Sequence, residues 1–351
     1  IKMQDTKDVQ AADLMKYVQQ KQNTEILGFW KLQLDIYNTA PIDTTKWTSK
    51  NARKLGEAPV VFSPELADAS CTQLQRAMNN KGYFQAKVDT VMERKDRKVN
   101  LTYQVTANQP YFVGEYMVEF DGDMSNWQVG EQDFVRVAND KRWVLIREGM
   151  QFDADVLNQE RQRIANSMRR RGYYYFDPEL LQFKADSSRT SRLIDIEMCL
   201  HDHLATLSVD DKAKIFRKYK IARVYFHIDY DPARIPKDEE MYSYIDNGYV
   251  FTWVGKKLMR DKVLIRNCPI KAGDIYNEMI VERTYTRLNQ LSPIRYVDIS
   301  FEPISADELD CHIVISRGKL NSVSAEVEGT YSAGDWGVAA GVGYVNRNLF
   351  K

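Results

Sequence analysis

The chain has 351 residues, which is enough for two or three domains. Lysine plus arginine and aspartate plus glutamate each number 49, so the formal net charge is zero, without the basic surplus typical of nucleic-acid-binding proteins. The sequence contains no run of about 18 apolar residues, which excludes a transmembrane helix. Four cysteines without C-x-x-C spacing favour buried free thiols, with a Cys268–Cys311 disulfide as the alternative.

The N-terminal region predicts a short strand near Ile1 and a helix over Asp8–Gln19. Residues 23–58 are predicted to be an insertion. Within it, Leu32–Ile36 alternates as a strand does, whereas Ile26–Trp30 has helical spacing, and the pattern does not decide between them.

Three later segments resemble one another. Each begins with an aromatic residue followed by a side chain that can cap a helix: Phe62-Ser63, Phe152-Asp153 and Tyr276-Asn277. In two of them the predicted helix ends at a glycine followed by aromatic residues: Gly82-Tyr83-Phe84 and Gly172-Tyr173-Tyr174. Glycine adopts the left-handed conformation at low cost and so ends a helix. The third segment ends its helix at Leu291-Ser292-Pro293 instead, because proline cannot continue a helix.

Two strand-like runs follow each helix. In chain order the pairs are Tyr83–Glu93 with Val99–Val105, Tyr173–Ala185 with Leu193–Leu200, and Tyr296–Phe301 with Leu309–Ile315. A strand at Tyr111–Phe120 and a helix containing Phe134 precede the second segment, and a strand at Ile221–Ile228 precedes the third. Residues 201–218 are polar connecting sequence. Residues 231–267 are predicted to be an insertion with extra strands at Tyr249–Val254 and Val263–Ile265.

The spacing of the three segments indicates tandem domains. From cap to cap it is 153 − 63 = 90 and 277 − 153 = 124 residues, longer than a solenoid repeat and close to a small domain. We therefore predict an α+β fold of three strand–helix–helix–strand–strand domains followed by a hairpin. The predicted boundaries are 1–108, 109–203, 204–319 and 320–351.

The last thirty residues change character. Apolar and polar residues alternate along two runs of about ten residues, a pattern shared by membrane β-barrel hairpins and soluble hairpins. On the barrel interpretation, six side chains face lipid: Val323, Val327, Tyr331, Val338, Val342 and Tyr344. Since a barrel needs at least about 8 strands, this interpretation predicts that further strands follow residue 351.

Candidate catalytic residues are few. His201 and His203, with Asp202, Asp210 and Asp211, could act as metal ligands, but no fourth ligand has recognisable spacing and they lie in polar connecting sequence. The sequence has no G-x-S-x-G, H-E-x-x-H or P-loop motif. We therefore predict no enzymatic activity, no catalytic residue, no cofactor and no metal site.

The strand–helix–helix–strand–strand units resemble POTRA (polypeptide-transport-associated) domains. The tail Gly341-Val342-Gly343-Tyr344-Val345-Asn346-Arg347-Asn348-Leu349-Phe350 resembles the start of the barrel in the BamA/TamA family of outer-membrane proteins. Three stretches are similar to the TamA-like lipoproteins of Bacteroidetes, the TamL group: Thr24-Glu25-Ile26-Leu27-Gly28-Phe29, Ile36-Tyr37-Asn38 and Gly56-Glu57-Ala58-Pro59-Val60-Val61.

This resemblance implies three periplasmic POTRA domains in front of an outer-membrane β-barrel, of which this chain carries the first hairpin. It also implies a TamB-like (AsmA-like) partner in the inner membrane, unfolded outer-membrane proteins as clients, contact with outer-membrane lipid and no nucleic acid. Because the sequence begins with Ile1 rather than Met, we expect an upstream segment, where the lipid-bearing cysteine of that group would lie.

The expected mechanism is strand addition, in which an extended client pairs with an exposed sheet edge without covalent chemistry. A competing interpretation is that the domains only hold the barrel at a distance or dock a partner. The chain could also be a soluble periplasmic peptide-binding or structural module or, less favoured, a periplasmic hydrolase.

Overall fold

The computed structural model describes residues 1–4, 9–25, 31–40, 53–96, 98–119, 129–187, 191–200, 208–228, 241–254, 259–318, 321–332 and 335–346. The chain divides into two compact units. The first comprises Ile1–Met117, Leu145–Gln159 and Phe183–Glu197, and the second comprises Val118–Val144, Glu160–Gln182 and Met198–Lys351. No helix in these described ranges is both long and apolar enough to cross a membrane.

The first unit begins with a three-stranded sheet. Its strands are β1 (Lys2–Gln4), β2 (Lys87–Lys95) and β3 (Lys98–Thr106), in the order β1–β3–β2. Strand β1 runs parallel to β3, and β2 runs antiparallel to it. This places the second strand of the hairpin at the centre of the sheet and leaves β2 at an edge.

Helices α1 (Ala11–Leu14), α2 (Leu32–Asn38) and α3 (Pro64–Asn80) belong to the same unit, with a 3₁₀ turn at Met15–Tyr17. Leu74 and Met78 of α3 have no exposed surface and pack into one core with residues of β3. Helix α2 includes Leu32–Ile36, for which the sequence pattern did not decide between strand and helix. Residues 26–30 and 41–52 of the predicted insertion lie outside the described ranges.

The first unit also holds most of a second three-stranded sheet. Its strands are β4 (Phe112–Val118), β5 (Leu181–Ser187) and β6 (Leu193–Leu200), in the order β4–β6–β5. The predicted strand at Tyr173–Ala185 is thus shorter at its start, because Pro178–Leu180 forms a 3₁₀ turn that Asp177 caps through the N–H of Glu179.

The second unit contains helix α4 (Val129–Ala138), most of α5 (Ala154–Arg169) and α6 (Val209–Ile215). Helix α6 lies in the sequence predicted to be a polar connector. Ser208 caps it by accepting the N–H of Asp211 at 3.1 Å, and Ile215 and Phe216 at its end are buried. The many charges of α6 face solvent, which is why the segment resembled a loop.

A five-stranded sheet follows in the second unit. Its strands are β7 (Lys220–Ile228), β8 (Met241–Asp246), β9 (Tyr249–Val254), β10 (Ile294–Pro303) and β11 (Glu308–Arg317), in the order β10–β11–β7–β9–β8. Strands β7, β11 and β10 repeat the parallel and antiparallel arrangement of β1, β3 and β2. The predicted insertion adds β9 and β8 beside β7.

Two helices accompany this sheet: α7 (Asp261–Asn267) and α8 (Glu278–Asn289). The predicted strand at Val263–Ile265 is wrong, because these residues belong to α7. Leu264 is fully buried while Val263 is 40% exposed, so only one face of the segment meets the core. A run of three apolar residues cannot by itself distinguish a buried helix face from a strand.

The chain ends in a two-stranded antiparallel hairpin. Strand β12 (Asn321–Ser332) pairs with β13 (Asp335–Asn346) over their whole length, from Asn321 with Asn346 to Ser332 with Asp335. The hairpin forms a sheet of its own. Residues 333–334 of its turn and 347–351 lie outside the described ranges.

Candidate functional site

The predicted capping residues lie at helix starts. The side chain of Ser63 accepts the N–H of Leu66 at 3.4 Å, and that of Asn277 accepts the N–H groups of Met279 and Ile280. Asp153 accepts the N–H of Asp155 at 2.9 Å. Phe62, in front of the first cap, is half-buried.

Gly82 follows the end of α3 and has φ of +86°. Its carbonyl begins a chain of backbone hydrogen bonds to two later segments. That carbonyl accepts the N–H of Tyr111, whose own carbonyl accepts the N–H of Phe152, both at 2.9 Å. The ring of Phe84 lies 5.3 Å from that of Tyr111 and 5.4 Å from that of Phe152, centroid to centroid. We call Gly82, Phe84, Tyr111 and Phe152 the first aromatic cluster.

Gly172, after α5, repeats this arrangement with φ of +107°. Its carbonyl accepts the N–H of Tyr219 at 3.0 Å, and the carbonyl of Tyr219 accepts the N–H of Tyr276 at 2.8 Å. The ring of Tyr174 lies 6.2 Å from that of Tyr219 and 5.1 Å from that of Tyr276. We call Gly172, Tyr174, Tyr219 and Tyr276 the second aromatic cluster.

The tyrosines that directly follow the two glycines lie in the protein interior and are not part of the aromatic clusters. Tyr83 and Tyr173 are both buried. The hydroxyl of Tyr173 donates to Asp133 at 2.7 Å, and the same carboxylate accepts from Lys218 at 3.0 Å. Burial opposes ionisation of Asp133, but the hydrogen bonds from Tyr173 and Lys218 outweigh it and lower its pKa.

Each cluster carries an ion pair. Lys81 reaches Asp153 at 2.8 Å and Asp155 at 2.9 Å. Burial opposes the charge on Lys81, but these two hydrogen bonds outweigh it and raise its pKa. At the second cluster Arg169 pairs with Glu278 at 3.0 Å, and Glu278 also accepts from the hydroxyl of Tyr276.

Sequence reasoning missed Tyr219 and treated Tyr111 only as part of a strand. A usable signal was present, because an aromatic residue comes immediately before the first residues of both β4 and β7. The N–H of each of these tyrosines donates to the carbonyl of a glycine earlier in the chain. The tyrosine's own carbonyl accepts the N–H of the aromatic residue that precedes a helix cap. The predicted signature residues therefore join chain segments as well as ending helices.

The two clusters differ in what the neighbouring edge strand supplies. In the second, the ring of Phe301 from β10 lies 5.7 Å from that of Tyr174 and 5.1 Å from that of Tyr276. In the first, strand β5 supplies Ala185 and Ser187, and a cleft of about 580 Å³ is open beside the rings. The cleft is lined by Phe84, Gln85, Tyr111, Phe152, Ala185, Ser187 and Ile194.

Exposed sheet edges are the second candidate feature. The sheet orders place β2, β5, β8 and β10 at edges within the described part of the chain. Along β2 nearly every side chain is exposed, including the apolar Val91 and Met92. An edge strand presents backbone N–H and C=O groups with which another extended chain can pair.

The terminal hairpin presents an apolar face to solvent. Val323, Val327, Val338 and Val342 are 73–82% exposed, and Tyr344 is 63% exposed. Val323 pairs with Tyr344 and Val327 with Ala340, so these side chains share one face. Tyr331 lies in β12, but its side chain is outside the described set.

Of the five candidate metal ligands, the structure describes Asp210 and Asp211. Among the described residues no three His, Cys, Asp or Glu side chains form a group that could hold a metal ion. His201, Asp202 and His203 lie outside the described ranges. Asp211 accepts from Ser208 and pairs with Lys214 at 3.0 Å, and the hydrogen bond from Ser208 lowers its pKa.

Sequence reasoning also missed a histidine pair in the five-stranded sheet. His227 Nδ1 lies 2.7 Å from the Thr252 hydroxyl, and His227 Nε2 lies 3.0 Å from His312 Nδ1. The ring of Tyr225 stacks on that of His312 at 4.8 Å. Burial, with the neighbouring His312, lowers the pKa of His227 to about 4.

This pair predicts a loss of stability in mild acid. Because the folded chain holds the pKa of His227 at about 4, below the ordinary value of about 6.5, the unfolded chain binds the proton more readily. We expect the stability due to this group to be complete above about pH 6.5 and to fall as the pH drops toward about 4. Melting temperatures measured at pH 7.5, 6.0 and 5.0 should decrease by several degrees.

The control for this prediction is His227→Gln, which keeps polar atoms near Thr252 and His312 without titrating. Its melting temperature should vary less over the same pH range. Equal slopes for the two proteins would contradict the assignment.

Comparison with family models now identifies the class of the N-terminal segment. Residues 1–108 match the POTRA family model, described as a surface antigen variable number repeat. A search of curated proteins finds none that matches the chain.

Several solved structures are similar to the chain. POTRA domains 3–5 of BamA from Haemophilus influenzae align over 90% of this chain and 94% of that one, with 13% identity and a TM-score of 0.41. BamA from Haemophilus ducreyi lacking POTRA domains 1–3 aligns over 66% and 34%, with 14% identity and a TM-score of 0.39. CdiB from Acinetobacter baumannii aligns over 83% and 46%, with 12% identity and a TM-score of 0.28.

Proposed function

We propose that this chain is the periplasmic POTRA region of an outer-membrane protein assembly or translocation factor. It binds unfolded client strands by adding them to its sheet edges, in a chaperone-like manner and without covalent chemistry. The observation that carries the proposal is the exposed edge strand β2 of the segment that matches the POTRA model.

The physical basis is the sequence tolerance of main-chain pairing. A client strand that pairs with β2 uses its own N–H and C=O groups, which every residue except proline supplies in full. Because the side chains of β2 are exposed, a client strand paired with β2 would have room for varied side chains on both of its faces. A factor that handles many barrel proteins needs this tolerance.

The proposed organisation has three POTRA domains at 1–108, 109–203 and 204–319, followed by the start of a barrel at 320–351. It is supported by the repeated arrangement of β1, β3 and β2 in the five-stranded sheet and by the two aromatic clusters. The exposed valine face of the hairpin supports contact with outer-membrane lipid.

We further propose a TamB-like partner in the inner membrane and a place in the TamL group of outer-membrane lipoproteins. These finer assignments rest on the sequence resemblance of residues 24–29, 36–38 and 56–61. Pull-down of the chain from envelope extracts, probed for an AsmA-like protein, tests the partner; recovery of none would contradict it.

Photo-crosslinking tests strand addition directly. The probe is p-benzoylphenylalanine placed at Val91 in β2 or at Asp186 in β5, and the client is an outer-membrane β-barrel protein diluted from urea. We expect crosslinks at both edges. The matched control is Leu66, an exposed apolar residue on helix α3. A client that binds any apolar surface would crosslink there equally, whereas a client that pairs with sheet edges would not.

A crosslinking yield at Leu66 equal to that at Val91 and Asp186 would reject strand addition. A folded barrel protein serves as the second control. It has no free strands, so it should not compete with the unfolded client.

A further inference from the structure

The two aromatic clusters are built alike, but within the described part of the chain only the second is filled by a ring from the neighbouring edge strand. At the second, the edge strand β10 packs the ring of Phe301 against those of both Tyr174 and Tyr276, at 5.7 and 5.1 Å. At the first, the corresponding edge strand β5 contributes Ala185 and Ser187 and leaves the cleft of about 580 Å³. The second cluster therefore shows that the position left open at the first cluster can hold an aromatic ring.

The lining of the cleft suits such a ring. Tyr111, Phe152 and Ile194 are buried, whereas Phe84 is 41% exposed and presents its ring to the open cleft. Polar atoms come from Gln85 and Ser187, and none of the lining residues carries a charge. Aromatic rings gain from edge-to-face packing beyond their buried area, and the rings of Phe84 and Tyr111 are already packed edge to face, at 86°.

The position beside β5 determines how a ligand would enter. A chain paired with the outer edge of β5 places alternate side chains on the face that carries Ala185 and Ser187. Directly opposed side chains in neighbouring strands have Cβ atoms about 4.5–5.5 Å apart. A residue opposite Ala185 would thus point its side chain into the cleft, while its neighbours point away from it.

We propose that the cleft is a side-chain slot that accepts one large apolar residue, preferably aromatic, from an extended peptide added to β5. This inference rests on the proposed strand addition and adds a preference to it. Main-chain pairing supplies affinity for any extended segment, and the slot selects segments with an aromatic residue in the correct register.

The test uses two fluorescein-labelled nine-residue peptides of alternating threonine and glutamine, identical except for phenylalanine or alanine at the centre. Anisotropy titrations of the full chain should give the phenylalanine peptide an affinity at least tenfold higher. Ala185→Phe, which fills the cleft as Phe301 fills its counterpart, should reduce this preference to less than about twofold.

Asp186→Phe is the matched control, because it adds the same ring to the opposite face of the same strand and should leave the preference intact. Phe84→Ala removes one wall at an exposed position and should also weaken the preference. It provides an independent test if Ala185→Phe does not fold, which circular dichroism will show.

The outcomes separate the two proposals. Equal affinities of the wild-type chain for both peptides, with client crosslinking at Asp186 retained, would overturn the slot but keep strand addition. A preference that survives Ala185→Phe and Phe84→Ala would place the aromatic residue elsewhere and also overturn the slot. Absence of both peptide binding and edge crosslinking would overturn strand addition, and the slot with it.

Discussion

Replacing Arg163 with leucine is expected to lower the free energy of unfolding by about 3–5 kcal/mol, because it removes the cation of a buried ion pair and its two hydrogen bonds to the carboxylate. The side chain of Glu160 has no exposed surface. Arg163 Nε and Nη2 donate to its two oxygens at 2.9 and 2.7 Å, and Nη1 donates to the carbonyl of Val137 at 3.1 Å. Urea unfolding followed by circular dichroism measures the loss.

The matched control is the double substitution Glu160→Leu with Arg163→Leu. It removes both charges and keeps apolar volume in α5, so most of the lost stability should return. A double variant as unstable as Arg163→Leu alone would show that the lost packing of the arginine stem, and not the broken ion pair, lowers the stability.

Gly82→Ala should destabilise the chain by about 2–5 kcal/mol. A non-glycine residue at positive φ costs about 1–2 kcal/mol, and crowding in a packed region adds about 1–3 kcal/mol. A Cβ atom at Gly82 would lie 2.8 Å from the carbonyl oxygen of Phe152 and 3.2 Å from that of Tyr111. Both oxygens are backbone atoms, so they cannot move without shifting the chain.

Gly273→Ala separates the two contributions. Gly273 has φ of +87°, almost equal to the +86° of Gly82, but a Cβ atom there would meet nothing within 4 Å. This variant should therefore show only the backbone cost of about 1–2 kcal/mol. Equal losses for the two variants would mean that the close approach of Phe152 and Tyr111 to Gly82 contributes nothing.

The local signals in the sequence were the most informative. Ser63 and Asn277 cap helices, and Gly82 and Gly172 have positive φ, because these features depend on only a few neighbouring residues. The alternation in the last thirty residues likewise predicted two strands, and they form one hairpin. Whether that hairpin begins a barrel stays a prediction.

Other features depend on contacts between distant residues. Val263–Ile265 is helical: Leu264 is buried, Ile265 is partly buried against the core and Val263 is exposed, and no local pattern of three apolar residues shows this. The histidine pair joins positions 85 residues apart. The cleft is open because β5 carries the small Ala185 where its counterpart β10 carries Phe301. Recognising that these two strands correspond requires the pairing of the strands in each sheet.

The cysteines have a consequence for how the chain matures. The four thiols are free, and Cys199, Cys268 and Cys311 are buried. Burial raises the pKa of Cys268 to about 12, so at neutral pH the thiolate, the form that attacks a disulfide, is strongly disfavoured. In an oxidising compartment, then, oxidation of Cys268 competes with folding during a short interval. Once the five-stranded sheet has closed over it, this thiol is kinetically protected.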